Sequence, residues 1–187
     1  FDLTAASTGH NEKALARLGK TNYKTIHIHP GSHAGYYPGA FPISLKLIFE
    51  VPSGKILGAQ GIGYDGVDKR IDVIATAIKG NLTVRDITNL ELAYAPPYSS
   101  AKDPVNMAGY VASNILDGLV DVVYYNEIDK LIADGGLLID VREPMEREMG
   151  FIEGSINIPL HEIRERLDEI PKDNIEIINL SFRYTGS

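Results

Sequence analysis

Apolar residues recur along the first two thirds of the chain in two alternating rhythms. Phe1 to Ala6 reads as a strand in progress, and His10 to Leu18 as a short helix closed by Gly19. Lys24 to His29 alternates in the manner of a strand. Ile43 to Val51 and Lys55 to Ile62 are richer strand segments, and Pro52-Ser53-Gly54 between them predicts a tight hairpin. Val67, Ile71, Ile74 and Ile78 then fall at helical spacing, in a stretch that stops at Gly80. Thr83-Val-Arg-Asp86 forms a capping box with Asp in the usual Glu position, opening a short helix. Val105, Ala108, Val111, Ala112 and Ile115 line one face of a further helix, which begins after Asp103 and ends near Gly118. Residues 1–118 therefore read as one mixed α+β unit.

A second rhythm starts at about residue 122. Ile128 to Ala133 predicts a helix stopped at Gly135-Gly136, and Leu137 to Val141 a buried strand. A charged stretch follows, then a helix around His161 to Glu169 and a strand from Ile175 to Leu180. Strand and helix taking turns in this way predict a small α/β domain over 122–187 with a parallel sheet.

Composition narrows the classes of function. With 44% apolar and 23% charged residues, the 187-residue chain is globular in character. A net charge of −7 without a basic stripe argues against nucleic-acid binding. No apolar run approaches the roughly 18 residues that span a bilayer. Cysteine is absent, so disulfides, thiolate metal sites and a cysteine nucleophile are excluded within the chain. The opening Phe-Asp-Leu-Thr carries neither an initiator Met nor a basic leader, which reads as a segment of a longer protein.

The most informative stretch is Glu91-Leu-Ala-Tyr94-Ala-Pro-Pro-Tyr98, followed by Ser99-Ser-Ala-Lys102-Asp103-Pro104 and, further on, Tyr110. Pro96 and Pro97 fix their own φ and hold the preceding residues extended, so Tyr94 and Tyr98 are held in set directions. Asp103 is placed as an N-cap with Pro104 in the first helical position. Tyr36-Tyr37-Pro38-Gly39 puts two more phenols on a rigid turn, although a packed aromatic corner is the simpler reading of that segment alone. A phenol with its pKa near 10 is a hydrogen-bond donor at neutral pH, suited to steadying a thiolate or an oxyanion.

Two other patterns compete for attention. Gly61-Ile-Gly63-Tyr-Asp-Gly66 spells a dinucleotide fingerprint, with Asp86 about twenty residues on. The strand that carries it reads as the second arm of a hairpin, which favours a glycine-rich hairpin exit. His27 and His29 share a strand face, and His33 lies close by. A zinc site there would want a carboxylate or thiolate at ligand spacing, and satisfied strand histidines are the preferred reading; no metal is expected.

Several long motifs resemble one family, and in its order. They are Tyr36-Tyr-Pro-Gly-Ala40, Leu57-Gly-Ala-Gln-Gly-Ile-Gly63, Asp68-Lys-Arg-Ile-Asp-Val-Ile-Ala-Thr-Ala77 and Ala93-Tyr-Ala-Pro-Pro-Tyr-Ser-Ser-Ala-Lys-Asp-Pro-Val-Asn-Met-Ala-Gly-Tyr110. They resemble the C-terminal dimerisation domain of FAD-dependent pyridine nucleotide–disulfide oxidoreductases, in the coenzyme A-disulfide reductase branch. NADH oxidases, NADH peroxidases and persulfide reductases are near relatives. The resemblance implies an α+β dimerisation domain with an antiparallel sheet over 1–118, in a cytoplasmic homodimer. FAD and NAD(P)H would be held by domains upstream, with none bound by this segment. It also implies that one subunit brings flavin and a redox cysteine, while the partner brings tyrosine hydroxyls near the reacting sulfur. Those are Tyr36 and Tyr94, with Tyr37 and Tyr98 as secondary candidates. The substrate would be a coenzyme A disulfide or a persulfide, and no nucleic acid or membrane would be a partner.

The tail resembles a rhodanese domain in Asp140-Val-Arg142-Glu-Pro, in Gly150-Phe-Ile-Glu-Gly-Ser-Ile-Asn-Ile-Pro-Leu160 and in His161-Glu-Ile-Arg-Glu-Arg-Leu167. That family stores sulfur as a persulfide on a cysteine after a central strand. Here Ser181 stands in that place, and Phe182 to Ser187 lacks the usual Gly and Arg spacing. A partial, degenerate rhodanese-like domain is thus expected over 122–187, with Asp140 and Arg142 as structural partners. A non-catalytic dimerisation or sensing module is the alternative from another class, and a fragment of an NADH oxidase or peroxidase is a third reading.

Overall fold

The computed structural model describes residues 2–171 and the backbone of 177–180. The chain divides into two compact units, Phe1–Asp121 and Val122–Ser187.

In the first unit, β1 (Thr4–Gly9), β2 (Tyr23–Ile28), β3 (Ile43–Glu50) and β4 (Ile56–Gly63) form one sheet in the order β1-β4-β3-β2. Every pairing is antiparallel. The period of two in β3 sends Ile43, Leu45, Leu47 and Phe49 to one face, where all are buried. Two long helices cover that face. Helix α2 (Val67–Lys79) supplies Val67, Ile71, Ile74 and Ala77, and α4 (Pro104–Leu116) supplies Val105, Ala108 and Ala112. Each large aliphatic side chain buried here stabilises the fold by roughly 1.5–3 kcal/mol. On the opposite face, Ile48 and Leu57 pack against Leu15 of the short helix α1 (Glu12–Arg17). The hairpin between β3 and β4 closes through the Gly54 N–H on the Glu50 carbonyl at 2.8 Å. Helix α3 (Val84–Ile87) starts from Thr83, whose N–H and hydroxyl both donate to the Asp86 carboxylate at 2.7 Å.

The second unit holds a parallel sheet in the order β6-β5-β7, formed by β5 (Leu137–Asp140), β6 (Ile156–Asn157) and β7 (Ile177–Leu180). Ile139, Val141 and Ile158 are its buried centre. Helix α5 (Tyr125–Ala133) precedes β5, and α6 (Pro144–Glu148) follows it.

Some expected boundaries shift. The first strand runs from Thr4 to Gly9 instead of Phe1 to Ala6, because Ser7 and Thr8 continue the ladder against Gln60 and Ala59. The helix expected over His161–Glu169 is a series of turns ending in a 3-10 segment, Leu167–Glu169. The Leu160 N–H is held by the Val141 carbonyl at 3.0 Å, and the bonds that follow close mostly over three residues, as from Glu165 to Glu162 and from Glu169 to Arg166. Ile175, the expected start of the last strand, lies outside the described residues.

Candidate active site

Two loops of the first unit carry the tyrosines. The first leaves β2 and returns to β3, and its base is closed by Ser32 N–H on the Phe41 carbonyl at 2.7 Å and Ile43 N–H on the Pro30 carbonyl at 2.8 Å. The second is the Pro96-Pro97 turn, closed by Tyr98 N–H on the Ala95 carbonyl at 2.8 Å. The loops meet where the Ala34 N–H donates to the Ser99 carbonyl at 3.1 Å. The phenols of Tyr36 and Tyr94, 58 residues apart in sequence, lie with their hydroxyl oxygens 3.1 Å apart. Their side chains are 77% and 51% exposed, so the pair faces outward.

That geometry fixes what the pair can do. Two hydroxyls hold two protons; one lies between the oxygens and the other is left to donate outward. The hydrogen bond to Tyr94, with a smaller contribution from desolvation, holds the Tyr36 phenol above its ordinary value of 10. Tyr36 therefore keeps its proton throughout the physiological range. Tyr37 points elsewhere, setting its ring edge against the buried His33 at 5.7 Å between centroids. Tyr98 is 68% exposed beyond the proline turn.

Sequence reasoning missed Arg70. It is 2% exposed, and its guanidinium pairs with Asp103 at 3.0 Å. Its Nη2 donates to the Ser32 carbonyl at 2.7 Å and its Nη1 to the Gly66 carbonyl at 3.1 Å. Asp103 in turn accepts from Ser99 Oγ at 2.7 Å and from the Val105 N–H at 2.9 Å, capping α4. The available signal was an arginine standing inside the apolar stripe of α2, three residues after Val67 and four before Ile74.

The glycine pattern has a packing use. Strand β4 lies antiparallel between β1 and β3, so Gly61-x-Gly63-x-x-Gly66 does not end the first strand of a parallel βαβ unit. A Cβ on Gly61 would come within 2.9 Å of Val67 Cγ1, and one on Gly66 within 2.1 Å of Arg70 Nη1. Gly66 also has φ +67°, a conformation that favours glycine. The space the third glycine leaves is thus taken by an arginine, and Asp86 is engaged in its own helix cap, its carboxyl held below the usual range by the Thr83 N–H and hydroxyl. These residues do not fit a pyrophosphate.

The histidines go separate ways. His27 lies on β2 beside Lys46, and desolvation first, then that lysine, lowers its pKa. His29 is within 3.0 Å of Ser44 Oγ, while His33 is buried with its Nδ1 3.2 Å from the Ala34 carbonyl. Among the described residues, no group of three or more His, Cys, Asp or Glu side chains could hold a metal ion.

In the second unit, Asp140 is fully buried and accepts from the backbone N–H and side chain of Arg142, with a closest contact of 2.7 Å, and from Arg147 at 3.3 Å. Arg142 also donates to the Gly150 carbonyl at 2.9 Å, and Arg147 to the Ser155 carbonyl at 2.8 Å. The two arginines pin the loop from 142 to 155 onto the end of β5. Ser181, the position of interest after β7, lies outside the described residues.

An antiparallel α+β unit presenting a phenol pair, followed by a parallel α/β unit, defines the class by architecture. The chain belongs to the pyridine nucleotide-disulphide oxidoreductase dimerisation-domain family, whose model matches residues 1–105. A rhodanese-like domain matches residues 125–180. The coenzyme A disulfide reductase of Staphylococcus epidermidis is 46% identical over 112 residues, covering 60% of this chain and 25% of that protein. Among solved structures, reduced Bacillus anthracis CoADR-RHD is 56% identical with a TM-score of 0.92, over 96% of this chain and 36% of that one. The NAD-dependent persulfide reductase from A. fulgidus is 45% identical with a TM-score of 0.83, over 96% of this chain and 32% of that one. The chain thus spans about a quarter of the length of the curated relatives it matches.

Proposed function

We propose that this chain is the C-terminal part of an NAD(P)H- and FAD-dependent reductase of coenzyme A disulfides or persulfides, and that it lends Tyr36 and Tyr94 to the active site of a partner subunit. The observation that carries the reading is the outward-facing hydroxyl pair, 3.1 Å apart on two braced turns. The flavin, the nicotinamide and the redox cysteine belong to parts of the protein outside this chain.

Reduction of a disulfide breaks an S–S bond and leaves its electron pair on the departing sulfur. A phenol donating to that sulfur stabilises the charge as it develops. Because a phenol ordinarily lies near 10 and a thiol near 8.5, the outward proton of the pair stays on oxygen and the interaction remains a hydrogen bond. A hydrogen bond to a charged group contributes about 1.5–3 kcal/mol, which corresponds to roughly a tenfold to hundredfold change in rate. The second unit would then be structural, because a hydroxyl at Ser181 cannot store sulfur as a persulfide.

The test is the full-length reductase carrying Tyr36→Phe, Tyr94→Phe and both. Turnover of coenzyme A disulfide in the double variant should fall by about tenfold to hundredfold, with KM little changed. Undiminished turnover removes the catalytic role.

A further inference from the structure

The two tyrosine hydroxyls bond to each other, so their meeting depends on how the two turns are anchored. Both turns are anchored to the same side chain. Arg70 Nη2 donates to the Ser32 carbonyl at 2.7 Å, four residues before Tyr36. The same nitrogen lies 3.4 Å from the Tyr98 carbonyl and 3.5 Å from Ser99 Oγ, just beyond Tyr94. Nε reaches Asp103 at 3.2 Å, where α4 begins, and Nη1 reaches the Gly66 carbonyl at 3.1 Å, where α2 begins. Ser99, held on Asp103 by its hydroxyl, accepts the Ala34 N–H through its carbonyl and so closes the link between the turns.

We propose that Arg70 is a positioning residue, whose buried guanidinium sets the Tyr36–Tyr94 hydroxyl pair by tying both tyrosine turns to the N-terminal ends of α2 and α4. The inference rests on the reading of that pair as a working donor, but its geometry stands by itself.

The chemistry of the side chain suits the task. A planar guanidinium offers five N–H donors in a fixed fork, so one group can bridge several carbonyls in set directions; an ammonium offers no such frame. A buried ion pair generally stabilises no better than well-packed apolar residues of the same volume. What Arg70 and Asp103 supply over an apolar pair is therefore direction. Gly66 fits the same purpose, since a Cβ there would stand 2.1 Å from Arg70 Nη1. Arg70 touches neither phenol and acts through the backbone of the turns that carry them.

The experiment follows Tyr36 by NMR in the 187-residue chain labelled at tyrosine Cζ, in a cycle with Tyr94→Phe. In the unmodified chain, removing the Tyr94 hydroxyl should shift the Tyr36 titration to lower pH and move its Cζ resonance. In Arg70→Lys, Tyr94→Phe should no longer do either. Arg70→Met/Asp103→Asn provides a second background, which removes both charges and keeps a side chain able to cap α4. Backbone amide spectra establish folding in each. If Tyr94→Phe shifts Tyr36 as far in either folded background as in the unmodified chain, Arg70 does not set the pair and the proposal fails. If neither background folds, Arg70 serves stability alone and the proposal fails as well. Turnover is not the readout: a full-length reductase indifferent to losing both phenols would end the catalytic reading while leaving this coupling intact.

Discussion

Gly66 combines a backbone at φ +67° with a side-chain position 2.1 Å from the Arg70 guanidinium. Gly66→Ala meets both obstacles. The left-handed conformation costs a non-glycine residue roughly 1–2 kcal/mol, and Arg70 must also retreat from its carbonyl partners. A fall of about 2 kcal/mol or more in unfolding free energy is expected from the denaturant midpoint, and a change below about 0.5 kcal/mol would contradict this role for Gly66. The same residue shows where reading a sequence succeeds and where it stops. Antiparallel placement of the glycine pattern was legible from the Pro52-Ser53-Gly54 turn before it. The reason for the third glycine was not, because Arg70 carried no local signal except a charge inside an apolar stripe. Tyr36 and Tyr94 could be picked out as rigidly held phenols, yet a separation of 58 residues hides that they meet. Tyr37 looks equivalent to Tyr36 in sequence, but its ring packs edge-on against His33.

Among the elements, the long helices are the most readable. Asp103-Pro104 and the stripe after it announce α4, and Val67 to Ile78 announces α2, since each repeats its period over three turns or more. Helix α6, with five residues, and β6, with two, are too short to show any period, and both hide in the charged stretch. What holds that stretch is the buried Asp140 with its two arginines, which makes the second unit sensitive to acid. The Arg142 side chain, with the arginine's own N–H, keeps the Asp140 carboxyl below the usual carboxylate range. A carboxylate depressed in the folded state contributes stability that is fully present above its unfolded pKa of about 3.9 and is lost as pH falls through the lower folded value. Arg166 likewise lowers Glu169 in this unit, but that pair is exposed and contributes little. The Ile139 and Ile158 methyl resonances should therefore report a melting temperature that drops as pH is taken below about 4. Asp140→Asn, which leaves two arginines without their partner, should lower the unfolding free energy near neutral pH by about 3–5 kcal/mol and remove most of the pH dependence of the melting temperature. An acid-dependent drop of the same size in Asp140→Asn would show that other groups carry it.

For the whole molecule, the order of an antiparallel unit and then a parallel one was visible in the change of rhythm near residue 122, and the described chain divides at Asp121 and Val122. No described helix is long and apolar enough to cross a membrane. The proposed role of the outward-facing Tyr36–Tyr94 pair requires a reacting sulfur brought by another subunit. Mixing two defective full-length reductases tests that directly: one is slowed by Tyr36→Phe/Tyr94→Phe, and the other lacks the upstream redox cysteine. After subunit exchange, verified with distinct affinity tags, each mixed dimer should contain one site with an intact cysteine facing intact tyrosines. Coenzyme A disulfide turnover should then return in the purified mixed dimer. If tyrosines and cysteine instead act within one subunit, mixed dimers will turn over no faster than the Tyr36→Phe/Tyr94→Phe parent, and the contribution of this chain to a partner's site is contradicted.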